Sequence, residues 1–125
     1  MVKIYLRAVR SDLGSGIEDC LYLRDSNGVE GINNIETVVP GGSKVSWDLE
    51  KDSGISSISK IWVEDRIPKG KVFKGEPRRG LLAKSFQADI VVSDSELKDK
   101  YKIRYILNNG KEVTVDPFIR IPPPR

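Results

Sequence analysis

The sequence predicts an all-β fold: an antiparallel Greek-key β-sandwich of roughly seven to nine strands. Three observations carry this expectation. Apolar residues recur every second position in many short runs, each bounded by Gly, Pro, Asn or Asp. The chain offers no long stretch with helical periodicity. The run Thr37-Val38-Val39-Pro40-Gly41-Gly42-Ser43-Lys44-Val45-Ser46-Trp47 reads as a strand, a tight turn and a second strand that sends a tryptophan inward.

The elements follow in order. Val2 to Val9 places Ile4, Leu6 and Ala8 on one face and Lys3, Tyr5, Arg7 and Val9 on the other. Cys20 to Arg24 sets Leu21 and Leu23 against Cys20 and Tyr22. The turn Asp25-Ser26-Asn27-Gly28 follows, its Asn-Gly pair suited to the positive φ of a hairpin. Ile35 to Val39 is a β-branched run; beyond Pro40-Gly41-Gly42, Val45, Trp47 and Leu49 point inward. Ile58 to Val63 is a further strand, with Ile61 and Val63 expected in the core and Trp62 on the opposite face.

Phe86, Ala88, Ile90 and Val92 alternate with Gln87, Asp89 and Val91. Asp94 to Lys100, opening on Ser93 or Asp94 as a cap, is the best helix candidate, and its length suits a single turn. Tyr101, Ile103, Tyr105 and Leu107 then alternate against Lys102 and Arg104. Asn108-Asn109-Gly110 turns into Val113 to Val115, and Phe118 to Ile121 closes the fold. Residues 1–121 therefore read as one sandwich domain and 122–125 as a stiff proline-rich tail.

At 125 residues the chain suffices for one domain with its own core. Its single cysteine, Cys20, excludes an internal disulfide and any multi-cysteine metal site. No secretory signal and no apolar run of membrane-spanning length precedes the first strand, so a cytoplasmic protein without membrane contact is expected. Net charge is +3, unevenly distributed. Residues 11–65 carry four basic against eleven acidic side chains, whereas residues 66–84 carry seven basic against one acidic. Opposed blocks of this kind steer partners or pair copies of a chain.

The chain has no histidine. Ser-His and Cys-His nucleophilic pairs and histidine-based zinc hydrolysis are thereby excluded. The acidic residues Asp48, Glu50, Asp52, Glu64 and Asp65 show no spacing that singles out an acid/base pair, and Asp12, Glu18, Asp19 and Asp25 lack the calcium-loop pattern. Gly14-Ser15-Gly16 and Gly41-Gly42-Ser43 precede no helix and read as turns, not phosphate cradles. Neither an enzyme nor a cofactor site is expected.

The stretch Val39-Pro40-Gly41-x-x-Lys44-Val45-x-Trp47 resembles the opening of the core of cupredoxin-like domains, and Tyr101-x-Ile103-x-Tyr105-x-Leu107 resembles their aromatic C-terminal strand. The resemblance implies a cupredoxin-like or immunoglobulin-like sandwich. It implies no copper, because Leu107 stands where the copper-binding members lead toward a cysteine ligand and the imidazole ligands have no counterpart. The ending Asp116-Pro117-Phe118-Ile119-Arg120-Ile121 is similar to that of bacterial inclusion-body proteins of the PixA/AidA type, which implies a bacterial, self-assembling protein.

Two surface features remain as candidate sites. The basic segment 66–84 is expected to be an irregular loop, with Arg66, Lys69, Lys71, Lys74, Arg78 and Arg79 around Phe73. Trp62 is either an exposed interface anchor or, if its strand is covered on both sides, core. The expected function is a metal-free, non-catalytic module acting through protein–protein contacts, with homo-oligomers included. The alternative is nucleic-acid or polyanion binding through the basic loop, with Phe73 stacking on a base.

Overall fold

The computed structural model describes residues 1–63, 72–80 and 84–123. Eleven strands fill it: β1 (Val2–Asp12), β2 (Ile17–Asp25), β3 (Glu30–Ile32), β4 (Glu36–Val38), β5 (Lys44–Leu49), β6 (Ile55–Val63), β7 (Phe73–Arg79), β8 (Phe86–Ile90), β9 (Leu97–Leu107), β10 (Glu112–Val115) and β11 (Phe118–Ile121). They form a β-sandwich. The first sheet runs β3-β2-β1-β5-β8-β7. In the second, β9 takes β6 along one edge and β10 then β11 along the other, and β4 joins β11. Glu112 opposite Ile106 and Ile121 opposite Leu97 lie on one unbroken register, so β10 and β11 are a single hairpin arm interrupted at Asp116-Pro117. The interruption has a local cause: Pro117 has no N–H for the ladder, though its carbonyl still accepts from Tyr101 N at 3.0 Å. Among the described residues no helix is long and apolar enough to cross a membrane.

Several sequence expectations need correction, the first being the strand count, which among the described residues is eleven and not seven to nine. The sheets are mixed, not antiparallel throughout, because β1 pairs parallel with β5 and β4 parallel with β11. The chain reaches β5 from β1 by way of β4 in the other sheet, and such a crossover permits parallel neighbours. The helix candidate 94–100 is a bend followed by the start of β9 at Leu97. Leu97, Asp99 and Tyr101 alternate inward there, so sheet pairing with β11 overrides a short local helix signal. The basic segment is not a loop over its described length: Phe73–Arg79 is edge strand β7, paired with β8 and bulged between Lys74 and Arg78.

The core lies between the sheets and contains the expected alternating residues, with Ile4, Leu6, Leu23, Trp47, Ile58, Ile103 and Ile119 fully buried. Val63, expected in the core, is only partly buried at the end of β6. Trp47 Nε1 on the first sheet donates to Tyr101 Oη on the second at 3.1 Å, a polar pin through an apolar layer. A second pin is the buried carboxylate of Asp25. Its Oδ2 accepts from Thr37 Oγ1 at 2.9 Å, and its Oδ1 accepts from the amides of Asn27 and Val29. These bonds tie the β2–β3 turn to β4. Gly28 (φ 93°) and Gly110 (φ 89°) sit where the two hairpin turns demand a left-handed residue.

Candidate binding face

Among the described residues, the sequence-predicted site residues do not converge. Arg66, Lys69 and Lys71 lie outside the described residues. Phe73 turns inward, with its ring centroid 6.0 Å from Trp47 and 5.7 Å from Tyr101. Trp47 and Tyr101 in turn stand 5.6 Å apart, edge to face, so the three rings form one cluster. Phe73, expected to stack on a base, is partly buried and packs against the core. Lys74 and Arg78 flank the β7 bulge, where both side chains are exposed and Arg78 Nη2 lies 3.5 Å from Asp89 Oδ2. Arg79 lies over the Phe86 ring at 5.1 Å. Gly75, the buried Pro77 and these charges give β7 an edge that resists pairing with a further strand.

Trp62 is half-buried and lies on the outer face of the second sheet. It does not stand alone. Lys60 Nζ sits 5.1 Å and the Arg104 guanidinium carbon 4.9 Å from its ring centroid, and Lys102 is its register partner on β9. Because β9 sends Tyr101, Ile103 and Tyr105 inward, strand alternation sends Lys98, Lys100, Lys102 and Arg104 outward. On the far edge of β9, Phe118 is opposite Lys100; Lys98 Nζ lies 4.5 Å and Lys100 Nζ 5.6 Å from its ring. One sheet face thus carries a row of cations flanked by two aromatic rings.

Among the described residues, carboxylates pair with this row, several of them near Phe118. Glu36 pairs with Lys98 at 2.6 Å and Arg120 at 3.2 Å, Glu96 with Arg120 at 3.3 Å, and Asp116 with Lys100 at 3.2 Å. The hydrogen bond from Lys98, helped by the Arg120 charge, holds the Glu36 carboxyl below its usual range. Near Trp62, Arg104 pairs with Glu112 at 3.4 Å. Apart from the part-buried Arg120–Glu36 pair, these pairs are largely solvent-exposed, and such pairs contribute about 0–1 kcal/mol each.

The outer face of the first sheet uses similar residues differently. Arg24 lies 4.4 Å over the Tyr5 ring and Arg7 4.7 Å over the Tyr22 ring, each pair being direct cross-strand neighbours. Both guanidinium groups converge on Glu50, at 3.1 Å from Arg24 and 3.9 Å from Arg7. Tyr22 Oη donates to Glu30, which pushes the phenol above its ordinary value. The charges here close on one another.

Two buried groups complete the inventory. Cys20 is fully buried, its thiol 3.5 Å from the Glu18 carbonyl. Tyr105 Oη is buried and has no hydrogen-bond partner among the described residues. Also among the described residues, no three His, Cys, Asp or Glu side chains gather as a metal site. No protein-family model matches the chain.

Alternation in the sequence sets Lys102 and Arg104 outside the core, but the face as a whole is not evident from it. The signal was present as Lys98-x-Lys100-x-Lys102-x-Arg104, a period-2 row of cations. Assigning 94–100 to a helix candidate cut that row in half.

Proposed function

We propose that this protein is a non-catalytic binding module whose working surface is the outer face of the second sheet, and that its partner is polyanionic. One observation carries the reading: the cations of β9 all project from the face on which Trp62 and Phe118 lie. Lys60, Lys102 and Arg104 supply the charge near Trp62; Lys98, Lys100 and Arg120 extend it past Phe118. The rings add contact area of low conformational cost, and the exposed ion pairs give way to a multivalent anion. Titration calorimetry with long-chain inorganic polyphosphate tests the reading. The expected result is binding at low ionic strength that weakens linearly in the logarithm of salt concentration. Absence of binding heat at low salt refutes it.

A second reading, docking of a protein partner or a second copy, draws support from another region. Leu13, Ile17 and Ile32 are large apolar side chains exposed at 50%, 65% and 48% around the far end of β1 and β2. A cleft of about 400 Å³ lined by Val9, Ser11, Tyr22 and Ile32 lies beside them. Sedimentation of the native protein and an Ile17→Lys, Ile32→Lys variant decides it: self-association lost in the variant supports this reading, and a monomer in both excludes self-association.

A further inference from the structure

Building on the proposed polyanion-binding face, we infer that its ligand is single-stranded nucleic acid, with bases stacked on Trp62 and Phe118 and phosphates paired to the cations between them. The two rings flank β9 on opposite edges, Trp62 across from Lys102 and Phe118 across from Lys100. With strands about 4.8 Å apart and a rise near 3.3 Å per residue, the ring positions are separated by about 12 Å. That separation suits bases that are near neighbours along an extended strand. The row from Lys98 to Arg104 runs roughly 20 Å by the same rise, long enough to follow several backbone phosphates.

The chemistry of the face selects among polyanions. Every base presents a π-face, so aromatic platforms bind single strands without requiring a particular sequence. A duplex keeps its bases stacked on each other, and the flat sheet presents no helix or ribbon to enter a groove. An acidic polypeptide satisfies the lysines but has nothing that requires two rings interleaved with them. Arg104 strengthens the platform, because a guanidinium plane beside a ring is itself a stacking surface for a base.

The test exploits the two tryptophans. Trp47 is fully buried, so a change in intrinsic fluorescence on binding reports Trp62. Titration with an oligothymidylate is expected to quench this emission, with a salt slope of about −0.7 per phosphate neutralised. Trp62→Leu and Phe118→Leu are each expected to weaken binding roughly tenfold, read by anisotropy of a labelled oligothymidylate, and Trp62→Phe to restore most of the loss. Melting curves establish that each variant is folded; if Trp62→Leu is not, Phe118→Leu carries the same comparison. If polyphosphate, polyglutamate or a duplex binds as tightly as oligothymidylate and the leucine variants change nothing, the single-strand inference falls while polyanion binding stands. If neither oligothymidylate nor polyphosphate binds, both fall.

Discussion

The two outer faces of the sandwich are built from the same side-chain types and arrange their charges differently. On the first sheet, Tyr5, Tyr22, Arg7 and Arg24 form cross-strand cation–ring pairs whose guanidinium groups share Glu50. On the second, Trp62 and Phe118 stack with cations delivered in a row by one strand, which among the described residues pair with Glu36, Asp116 and Glu112. Cations on both faces span a ring and a carboxylate, but the second face lines four of them up along one strand. A cation in a like-charged row gains more from an external anion than from its neighbours. On the proposed reading, the alignment of cations along one strand, not the number of aromatic and basic residues, marks the second face as the candidate binding face.

The largest expected effect breaks or upholds that distinction directly. Lys60→Glu with Arg104→Glu is expected to weaken polyphosphate binding on the order of a hundredfold, since two attractive contacts become repulsive. The matched pair Arg7→Glu with Arg24→Glu is expected to leave binding nearly unchanged while lowering the melting temperature. Equal losses from both pairs, measured by calorimetry, would mean that binding follows net charge and not the face.

The interior offers a second contrast, because β9 carries the binding row on one side and two buried tyrosines on the other. Tyr101→Phe removes the acceptor of Trp47 Nε1 and leaves a buried donor unpaired, a loss of about 1–3 kcal/mol in denaturant unfolding. Tyr105→Phe removes a hydroxyl that has no partner among the described residues and is expected to be neutral or stabilising. Neither variant should alter polyanion affinity. Burial raises both phenols above the ordinary 10.0. Their neutral forms therefore add stability that is complete below pH 10 and is lost as pH rises toward the folded values. Near-ultraviolet titration should show these two ionising only as the protein unfolds.

A smaller effect sharpens the comparison within the first sheet. Arg24→Ala removes the Tyr5 stack and the Glu50 pair, worth about 1 kcal/mol of stability together at an exposed site. Lys60→Ala, which stacks on Trp62 alone among the described residues, should cost less stability and more affinity. Smallest is the response to acid. Glu36 has a folded pKa held below 4.5, so its stabilising contribution is complete above that value and is lost as pH falls through the lowered one. Its protonation uncovers Lys98, so affinity for polyphosphate should rise slightly over that interval, and Glu36→Gln should abolish the rise.

Much of the fold was legible because period-2 alternation and turn chemistry are local signals. The inward sets of β1, β5, β8 and the later part of β9, the Asn-Gly turns and the buried Trp47 all followed from them. What the alternation could not reveal was long-range pairing. The parallel β1–β5 and β4–β11 ladders depend on strands far apart in sequence. The start of β9 at Leu97 depends on β11 supplying its ladder; locally, Ser93 to Lys98 contains a cap and helix-forming residues. The candidate site was obscured by reading charge along the chain. Residues 85–125 carry seven basic and six acidic side chains, nearly balanced, yet the basic ones of β9 share a face. Segment 66–84 is conspicuous only for its density of charge, and Phe73 in its midst packs against the core.

Backbone amide shifts mapped during titration with oligothymidylate put the central claim to its most direct test. The account predicts that perturbations gather at residues 60–62, 98–104 and 118–120 and spare 5–7 and 22–24. Perturbations gathered on the first sheet or on the β7 edge would contradict it.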